Sequence, residues 1–577
     1  MLLRLLARYL RPYRRTTVLL VLLLIAQTAG NLYLPNLNGD IINNGVVAGN
    51  LHYIIHTGEW MLVLTLVIGL FSVGGIYWAS RVAMGAGADL RSAVFARVQT
   101  FSTRDMNDFG TASLITRNTN DVQQIQIFLQ MALTMMVVAP IMGVGGIAMA
   151  LHEGAKLSTL LLVALPIMGA FLSVVMVKII PKFRSMQVKI DRLNEVLREQ
   201  ITGVRVIRAF VRSDFEAQRF AKANQDLTST ALSVNRTFAM MLPVMMVILN
   251  LSSVAVVWFG GRLVSEGAMP IGNLTAFLTY IMQILLSVMM AVMVAILVPR
   301  AAASAERVNQ VLGTSPVVMN PLTPIVASTH SGVIQFDKVS FAYPGSERPV
   351  LEELDFTLKA NSTNAIIGGT GSGKTTMLNL IPRFFEATSG HVRVNDVDVR
   401  EQSLESLWTT LGIVPQFAYL FSGTIESNLR FGRADASDQE LWQALQIAQA
   451  TDFVRAMQGG LEAVIDQGGT NVSGGQRQRL CIARALVKRA DVYLFDDCFS
   501  ALDATTDALL RQALKASIRP ATVVIVAQRV STIMDADQII VLDNGRVVGV
   551  GTHQELLTSC GTYHEIVVSQ LGEDATK

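Results

Sequence analysis

The sequence predicts an α-helical membrane domain of six transmembrane helices, with long intracellular extensions, followed by an α/β domain with a largely parallel sheet. Two observations lead to this expectation. The chain has 577 residues, of which 51% are hydrophobic and 16% charged, so it is too long for one domain and too apolar for a soluble protein. From Val333 onward, strand-like and helical segments alternate, which is typical of an α/β domain. The formal net charge of +3 gives no support to nucleic-acid binding.

Several apolar runs are long enough to cross a bilayer, which requires about 20 residues of helix. A buried helix of a soluble protein would explain any one of them but not all of them together. We predict spans at residues 16–38, 60–80, 131–151, 157–180, 237–264 and 275–298.

The distribution of lysine and arginine predicts the orientation of these spans. Residues 39–59 contain neither, whereas residues 81–130 and 181–236 are rich in both. The positive-inside rule therefore places the N-terminus, both long loops and the α/β domain in the cytoplasm of a multi-pass protein of the inner or plasma membrane. Residues 1–15 alternate leucine with arginine at helical spacing, which predicts an amphipathic elbow helix lying against membrane lipids.

The two long cytoplasmic loops consist mostly of helix-forming residues. We expect them to continue the spans as helices that turn back at short helices, with turning points near residues 109–111, which include Phe109, and near residues 211–215, which include Phe215. The alternative is that they are ordinary surface loops. These features predict a membrane domain at residues 16–311, a linker at 312–332 and the α/β domain at 333–577.

A glycine-rich loop in the α/β domain predicts a site for ATP and Mg²⁺. Glycines let successive backbone N–H groups converge on phosphate oxygens at a helix N-terminus, while a lysine neutralises charge and a threonine hydroxyl contacts Mg²⁺. Further along, the buried strand Val492-Tyr493-Leu494-Phe495 ends in Asp496, a carboxylate suited to hold Mg²⁺. The loop is Gly368-Gly369-Thr370-Gly371-Ser372-Gly373-Lys374-Thr375, with an apolar strand before it and a helix from Thr376 after it.

The motif Ser473-Gly474-Gly475-Gln476, ahead of that strand, resembles the signature motif of ATP-binding cassette (ABC) proteins. The resemblance covers the whole chain, since six spans followed by one cassette is the half-transporter layout of the exporter type. It implies that cassettes dimerise, each ATP lying between one chain's phosphate loop and the other chain's signature motif. It also implies roles for Tyr343 in stacking on adenine, Thr376 in binding ATP, Gln416 in contacting Mg²⁺, Phe109 and Phe215 in coupling, and Ser500-Ala501-Leu502-Asp503 as the D-loop.

Two residues depart from the family pattern. Asp497 stands where the family has a catalytic glutamate, and Gln528 stands where it has a switch histidine. A side chain one methylene shorter withdraws the carboxylate by roughly 1.5 Å, and an error of about 1 Å can cost on the order of a hundredfold in rate. Glutamine donates a hydrogen bond but cannot carry the charge of an imidazolium.

We therefore expect this chain to bind ATP but to hydrolyse it slowly. This combination resembles the degenerate subunit of heterodimeric exporters, whose partner half-transporter carries the glutamate and the histidine. The alternative is tolerated drift in a homodimer.

The substrate is less constrained by the sequence. Gln27, Asn31, Asn250 and Gln283 lie within spans and either line a cavity or join helices to one another. The resemblance implies export of a small amphipathic drug or lipid. Siderophore or peptide transport by the same fold, and an ATP-gated channel or regulatory membrane protein, are the alternatives.

Overall fold

The structure is a computed structural model that describes residues 1–326, 332–518 and 520–572. Residues 327–331 of the predicted linker lie outside the described residues. The chain divides into two compact units. The first comprises Met1–Gln99 and Ala112–Thr314, and the second comprises Thr100–Thr111 and Ser315–Lys577.

The first unit is built from long apolar helices. Within the described residues, 6 helical stretches of 43 to 53 residues are long and apolar enough to cross a membrane, and all predicted spans lie inside them. Because about 20 residues suffice to cross a bilayer, these helices extend well beyond it, as expected. The helices are α1 Leu2–Leu10, α2 Arg14–Asp40, α3 Leu51–Gln99, α4 Thr103–Phe109, α5 Thr111–Thr116, α6 Val122–Glu153, α7 Leu161–Thr202, α8 Val204–Ala209, α9 Ser213–Ser265 and α10 Ile271–Gly313.

Short helices turn both long loops. The helix α4 ends at Phe109, where Gly110 takes a left-handed φ of 74°. The other turning helix, α8, ends at Ala209, and Val211 takes a left-handed φ of 50°. This backbone conformation stops a right-handed helix, so the second turn lies at Val211, at the start of the predicted turning point of residues 211–215. Phe215 itself lies in the first turn of α9.

Polar side chains inside the spans connect α2 to α10. Pro35 lacks an N–H, which leaves the carbonyl of Asn31 without its helical donor. The side-chain amide of Gln283 donates to that carbonyl at 3.2 Å, and the Tyr280 hydroxyl donates to the next carbonyl, that of Leu32, at 2.8 Å. Of the two interpretations of the polar residues, the structure therefore supports helix joining for Gln283, whose partner is the backbone of Asn31 and not its side chain.

Two π-helical segments interrupt the long helices, Ile41–Val46 after α2 and Arg117–Asp121 before α6. At the second, Asp121 is fully buried and accepts hydrogen bonds from the Ser304 hydroxyl at 3.0 Å and from Nε of Arg307 at 2.8 Å. This ion pair joins α6 to the C-terminal part of α10.

The second unit contains a six-stranded sheet in the order β12-β11-β3-β10-β9-β6, parallel except for the β11–β12 pair, and a four-stranded antiparallel sheet in the order β2-β1-β4-β5. The strands are β1 Ile334–Phe341, β2 Leu351–Leu358, β3 Thr363–Gly368, β4 Ser389–Val394, β5 Val397–Asp398, β6 Leu411–Val414, β7 Gly423–Thr424, β8 Val464–Ile465, β9 Val492–Asp496, β10 Thr522–Val526, β11 Gln538–Asp543 and β12 Arg546–Gly551. The helices are α11 Lys374–Leu380, α12 Leu404–Thr410, α13 Ile425–Arg430, α14 Asp438–Ile447, α15 Thr451–Ala456, α16 Gly474–Val487, α17 Ala504–Ser517, α18 His553–Ser559 and α19 Gly561–Leu571.

The central sheet is buried on both faces, as expected for parallel strands. On β3, Ala365 and Ile367 pack into one apolar cluster and Ile366 into the other. At the carboxyl edge, Val526 pairs with Ile366 on one side and with Asp496 on the other. The ends of β3, β9 and β10 therefore lie side by side, and this register brings the phosphate loop, Asp496 and Gln528 together.

Candidate nucleotide-binding site

The phosphate loop connects β3 to α11 and has the conformation that its glycines permit. Gly371 and Gly373 take left-handed φ values of 83° and 96°, which side-chain-bearing residues rarely adopt. A Cβ at Gly369 or Gly371 would meet no atom within 4 Å, so the concave side of the loop is open. The Ser372 hydroxyl is buried and has no hydrogen-bond partner in the described part of the chain. An open glycine cradle beside an unsatisfied hydroxyl fits the oxygens of a phosphate group.

Lys374 lies across this loop. Its ammonium donates to the carbonyl of Gly368 at 2.9 Å and to that of Gly369 at 2.7 Å. Burial lowers the pKa of Lys374, while the carboxylates of Asp497 and Asp496 oppose that change. The amine is therefore held at the loop near two carboxylates, where it can contact a phosphate bound in the loop.

Thr375 and Asp496 provide the oxygens expected for Mg²⁺. The Thr375 hydroxyl donates to Oδ1 of Asp496 at 2.9 Å, and Asp496 is only 5% exposed. Burial is the main cause that raises the pKa of Asp496, and the neighbouring Asp497 adds to it. Carboxylate and hydroxyl oxygens are suitable ligands for Mg²⁺, which would also offset the burial of the negative charge.

The two departing residues contact each other. Nε2 of Gln528 donates to Oδ2 of Asp497 at 2.9 Å, and Nε2 of Gln416 approaches the same oxygen at 3.5 Å. Asp497 has a left-handed φ of 46°, and its N–H donates to the carbonyl of Val526 at 3.0 Å. Burial raises the pKa of Asp497, whereas the Gln416 amide, Lys374 and Arg529 oppose the rise. The sequence placed these side chains in one site, and the structure adds the hydrogen bond between them.

Tyr343 lies beside the helix that follows the phosphate loop. Its hydroxyl is 3.1 Å from the Thr376 hydroxyl, and Phe341 and Phe385 meet its ring edge-on at 4.9 and 5.5 Å. Because 37% of Tyr343 is exposed, the aromatic surface needed for stacking on a base is accessible in this chain.

The signature motif begins α16. The Ser473 hydroxyl accepts from the N–H of Gln476, and Oε1 of Gln476 accepts from the N–H of Ser473 at 2.9 Å, a reciprocal cap that fixes the helix start. Ser473 and Gly474 are exposed, so the motif is free to meet another chain. A Cβ at Gly475 would lie 3.3 Å from the carbonyl of Ala501, so the motif packs against the D-loop.

The D-loop is hydrogen-bonded to the backbone of Asp497. The Ser500 hydroxyl donates to the carbonyl of Asp497 at 2.9 Å, and Leu502 is 6% exposed. Asp503 caps α17 by accepting from the N–H of Thr506 at 2.9 Å, and this bond lowers the pKa of Asp503. One hydrogen bond therefore joins the start of the D-loop to the backbone of Asp497.

Sequence reasoning missed two residues near Gln528. Gln570 on α19 donates to the carbonyl of Gln528 at 2.8 Å and accepts from the N–H of Val530 at 2.8 Å. No sequence signal marks Gln570, which lies 42 residues from Gln528. Arg529 was findable, because it directly follows the switch position and acts electrostatically on Asp497.

Comparison with known proteins agrees with this geometry. The family model described as ABC transporter transmembrane region matches residues 17–288, and the model described as ABC transporter matches residues 351–500. An uncharacterized ABC transporter ATP-binding protein of Mycobacterium tuberculosis is 46% identical, over 99% of this chain and 98% of that protein. The chain belongs to the ABC transporter family.

Other relatives show what kind of ABC transporter it resembles. An ATP-dependent lipid A-core flippase of Syntrophus aciditrophicus is 31% identical, over 89% of this chain and 86% of that protein. The solved structure of a bacterial Atm1-family ABC exporter with ATP bound superposes with a TM-score of 0.81 at 25% identity, covering 98% of this chain and 99% of that one. This ABC transporter therefore has the exporter fold, and the predicted fold class is confirmed.

Proposed function

We propose that the chain is one half of a heterodimeric ATP-driven exporter. Its own site binds ATP with Mg²⁺ and hydrolyses it slowly, and its signature motif completes the competent site of a partner half-transporter. The hydrogen bond from Gln528 to Asp497 is the observation that carries this proposal. Through this bond the Gln528 amide engages the Asp497 carboxylate, which stands at the position of the general base. An amide cannot accept or carry the proton that a general base takes from water.

The remaining groups of the site support binding. Lys374 and the loop N–H groups would hold the phosphates, Thr375 and Asp496 would hold the metal with Gln416 nearby, and Tyr343 would support the base. When bound, ATP with Mg²⁺ would supply the phosphoryl bond whose cleavage drives transport. The shorter side chain of Asp497 and its amide partner make it a poor general base.

The intact signature motif supports the role in trans. Its exposed Ser473 and Gly474 begin a helix whose N-terminal N–H groups suit an anion. The partner half-transporter would contribute the phosphate loop, the glutamate and the histidine facing this motif. Each chain then completes the other's site.

Coupling of the cassettes to the membrane helices would depend on the two turns near Phe109 and near Val211. In the second unit, Phe109 and Phe101 stack at 5.5 Å within the segment Thr100–Thr111. Phe215 is 59% exposed, and Val211 is 87% exposed. We propose that this apolar turn contacts the partner's cassette. The contact would use the counterpart of a groove of about 460 Å³ in this chain's own cassette, which is lined by Phe384, Trp408, Phe421 and Phe431.

The substrate class is an amphipathic, lipid-like molecule. The six spans and the 31% identity to a lipid A-core flippase support it. The side-chain amide N–H of Gln283 is engaged in joining α10 to the backbone of α2, so this donor is not free for a polar substrate.

The test compares the purified full chain with the same chain co-purified with the half-transporter encoded nearest to it that carries the glutamate and histidine. Both preparations are reconstituted in lipid nanodiscs, and phosphate release is measured with saturating ATP and Mg²⁺. We expect little turnover from the lone chain despite tight nucleotide binding, and vigorous turnover from the pair. Full turnover and substrate transport by the lone chain would refute the heterodimer.

A further inference from the structure

A cluster of amides and one carboxylate joins three helices at the end of the bundle where α6 ends and α10 begins. Nδ2 of Asn36 on α2 donates to Oε1 of Glu153 at 2.8 Å, and Nδ2 of Asn273 on α10 donates to the carbonyl of Glu153 at 3.3 Å. Nδ2 of Asn43 donates to Oδ1 of Asn273 at 2.8 Å. We call Asn36, Asn43, Glu153 and Asn273 the end cluster.

The backbones of α2 and α10 also touch at this end. A Cβ at Gly272 would lie 2.1 Å from the carbonyl oxygen of Gly39, and Oδ1 of Asn43 accepts from the N–H of Gly272 at 2.7 Å. Only glycines allow this approach, so the helices are in direct contact here. Residues 39–59, which connect α2 to α3 and begin α3 at this end, contain neither Lys nor Arg, which places the end cluster on the non-cytoplasmic side.

Glu153 is buried without a compensating positive charge. It is 8% exposed, and no ion pair to it occurs in residues 1–326, 332–518 and 520–572. With one amide donor at Oε1, the carboxylate is solvated less fully than in open water. Separation of the helices would complete its hydration, while the amide bonds oppose separation.

The opposite end of α10 is held differently. There Asp121 is fully buried, but it is paired with Arg307 and bonded to Ser304, so its charge is compensated. The C-terminal part of α10 is thus held by an ion pair. At its N-terminal end, amide hydrogen bonds favour contact between the helices, and the unpaired charge of Glu153 opposes it.

We propose that the end cluster is the non-cytoplasmic gate of the transporter, with Glu153 as the residue that sets its balance. Closure aligns Asn36 with Glu153 and Asn43 with Gly272 and Asn273. Opening breaks these bonds between α2 and its neighbours and hydrates the carboxylate. This gate rests on the exporter activity proposed above, and it supplies the step at which an amphipathic substrate leaves.

The proposal makes two variants act in opposite directions. Asn36→Ala removes the donor and keeps the charge, so it should raise the ratio of open to closed gate by about tenfold. Glu153→Gln keeps an acceptor for Asn36 and removes the charge, so it should lower that ratio severalfold. A merely structural role would make both variants loosen the same end of the bundle.

The ratio is measured by double electron–electron resonance with spin labels on cysteines introduced at Val47 and Ala268, both exposed, in the full chain in nanodiscs with ATP and Mg²⁺. The native cysteines are all buried and need no replacement. Glu266→Gln is the matched control, because Glu266 is exposed at the same end and pairs only within its own segment with Arg262. It should leave the distance distribution unchanged.

Shifts of both variants in the same direction, or no shift in either, would overturn the gate. The readout is a population of distances and not a rate of hydrolysis. Rapid ATP turnover by the lone chain would therefore refute the proposed heterodimer while leaving this test of the gate intact.

Discussion

Restoring the two departing residues should restore hydrolysis, and restoring one should not. In Asp497→Glu, the added methylene advances the carboxylate by about 1.5 Å, the length of one carbon–carbon bond. Asp497 already accepts a hydrogen bond from Gln528 at 2.9 Å, so the longer side chain meets the same amide and must bend away from it. The glutamate is then displaced from the water it should activate.

The expected magnitude follows from that displacement. A well-placed general base contributes about 10²–10⁴-fold to a rate, and an error of about 1 Å can cost on the order of a hundredfold. We expect Asp497→Glu alone to raise kcat by less than about tenfold, and Asp497→Glu with Gln528→His to raise it by about a hundredfold or more. Gln528→His alone should gain little, because the base remains too short.

The assay is phosphate release by the full chain in nanodiscs at saturating ATP and Mg²⁺, with nucleotide affinity measured in parallel. Adding Lys374→Ala to the double variant should return the rate to background, which excludes a contaminating ATPase. Equal rates for the single and double variants, or an unmodified chain as fast as the double variant, would refute the reasoning.

Three further predictions concern the cassette. Tyr343→Ala should weaken binding of a fluorescent ATP analogue by about tenfold or more, since stacking on a base contributes about 1–3 kcal/mol. The control Tyr343→Phe keeps the ring and should bind nearly normally. Equal losses of affinity in the two variants would contradict stacking. Gln570→Ala should lower the free energy of unfolding of the cassette in urea by about 1 kcal/mol or less, because two partly hydrated backbone groups near Gln528 lose their partner, and the exposed neighbour Ser569→Ala should not. The N–H of Ser437, with Arg433, lowers the pKa of Glu440 to about 2. A carboxyl group with a depressed pKa stabilises the fold above the usual glutamate range, and this stability is lost as the pH falls toward 2. Thermal unfolding of Glu440→Gln should therefore depend less on pH between about 4.5 and 2 than that of the unmodified chain. Identical pH profiles would contradict the assignment.

The parts of the fold that follow from local composition were predictable. Apolar runs gave the spans, because length and hydropathy alone decide whether a helix can cross a bilayer. The strand before the phosphate loop and the strand ending at Asp496 were predictable because a short apolar run beside a motif leaves few alternatives. The family resemblance placed Asp497 and Gln528 in one site, and the sheet explains why: Asp497 directly follows β9, Gln528 lies two residues after β10, and these strands are adjacent and parallel.

Features that depend on packing between distant segments were not predictable. The bond from Gln283 to Asn31 requires both the carbonyl freed by Pro35 and the register of α2 against α10. The end of α8 depends on a left-handed valine, Val211, which no propensity rule would select. Gln570 acts on Gln528 only because α19 folds back to it, and nothing near Gln570 in the sequence indicates this.

The π-helical segment Ile41–Val46 holds an extra residue at the end of the first span. A π turn contains one residue more than an α turn over about the same revolution, and one residue of regular α-helix corresponds to a rotation of about 100°. Removing one amino acid from this segment would therefore leave an ordinary α turn and nearly the same facing of the span. The same deletion within α2, Arg14–Asp40, would instead rotate everything before it by more than a quarter of a circle, out of step with the neighbouring helices.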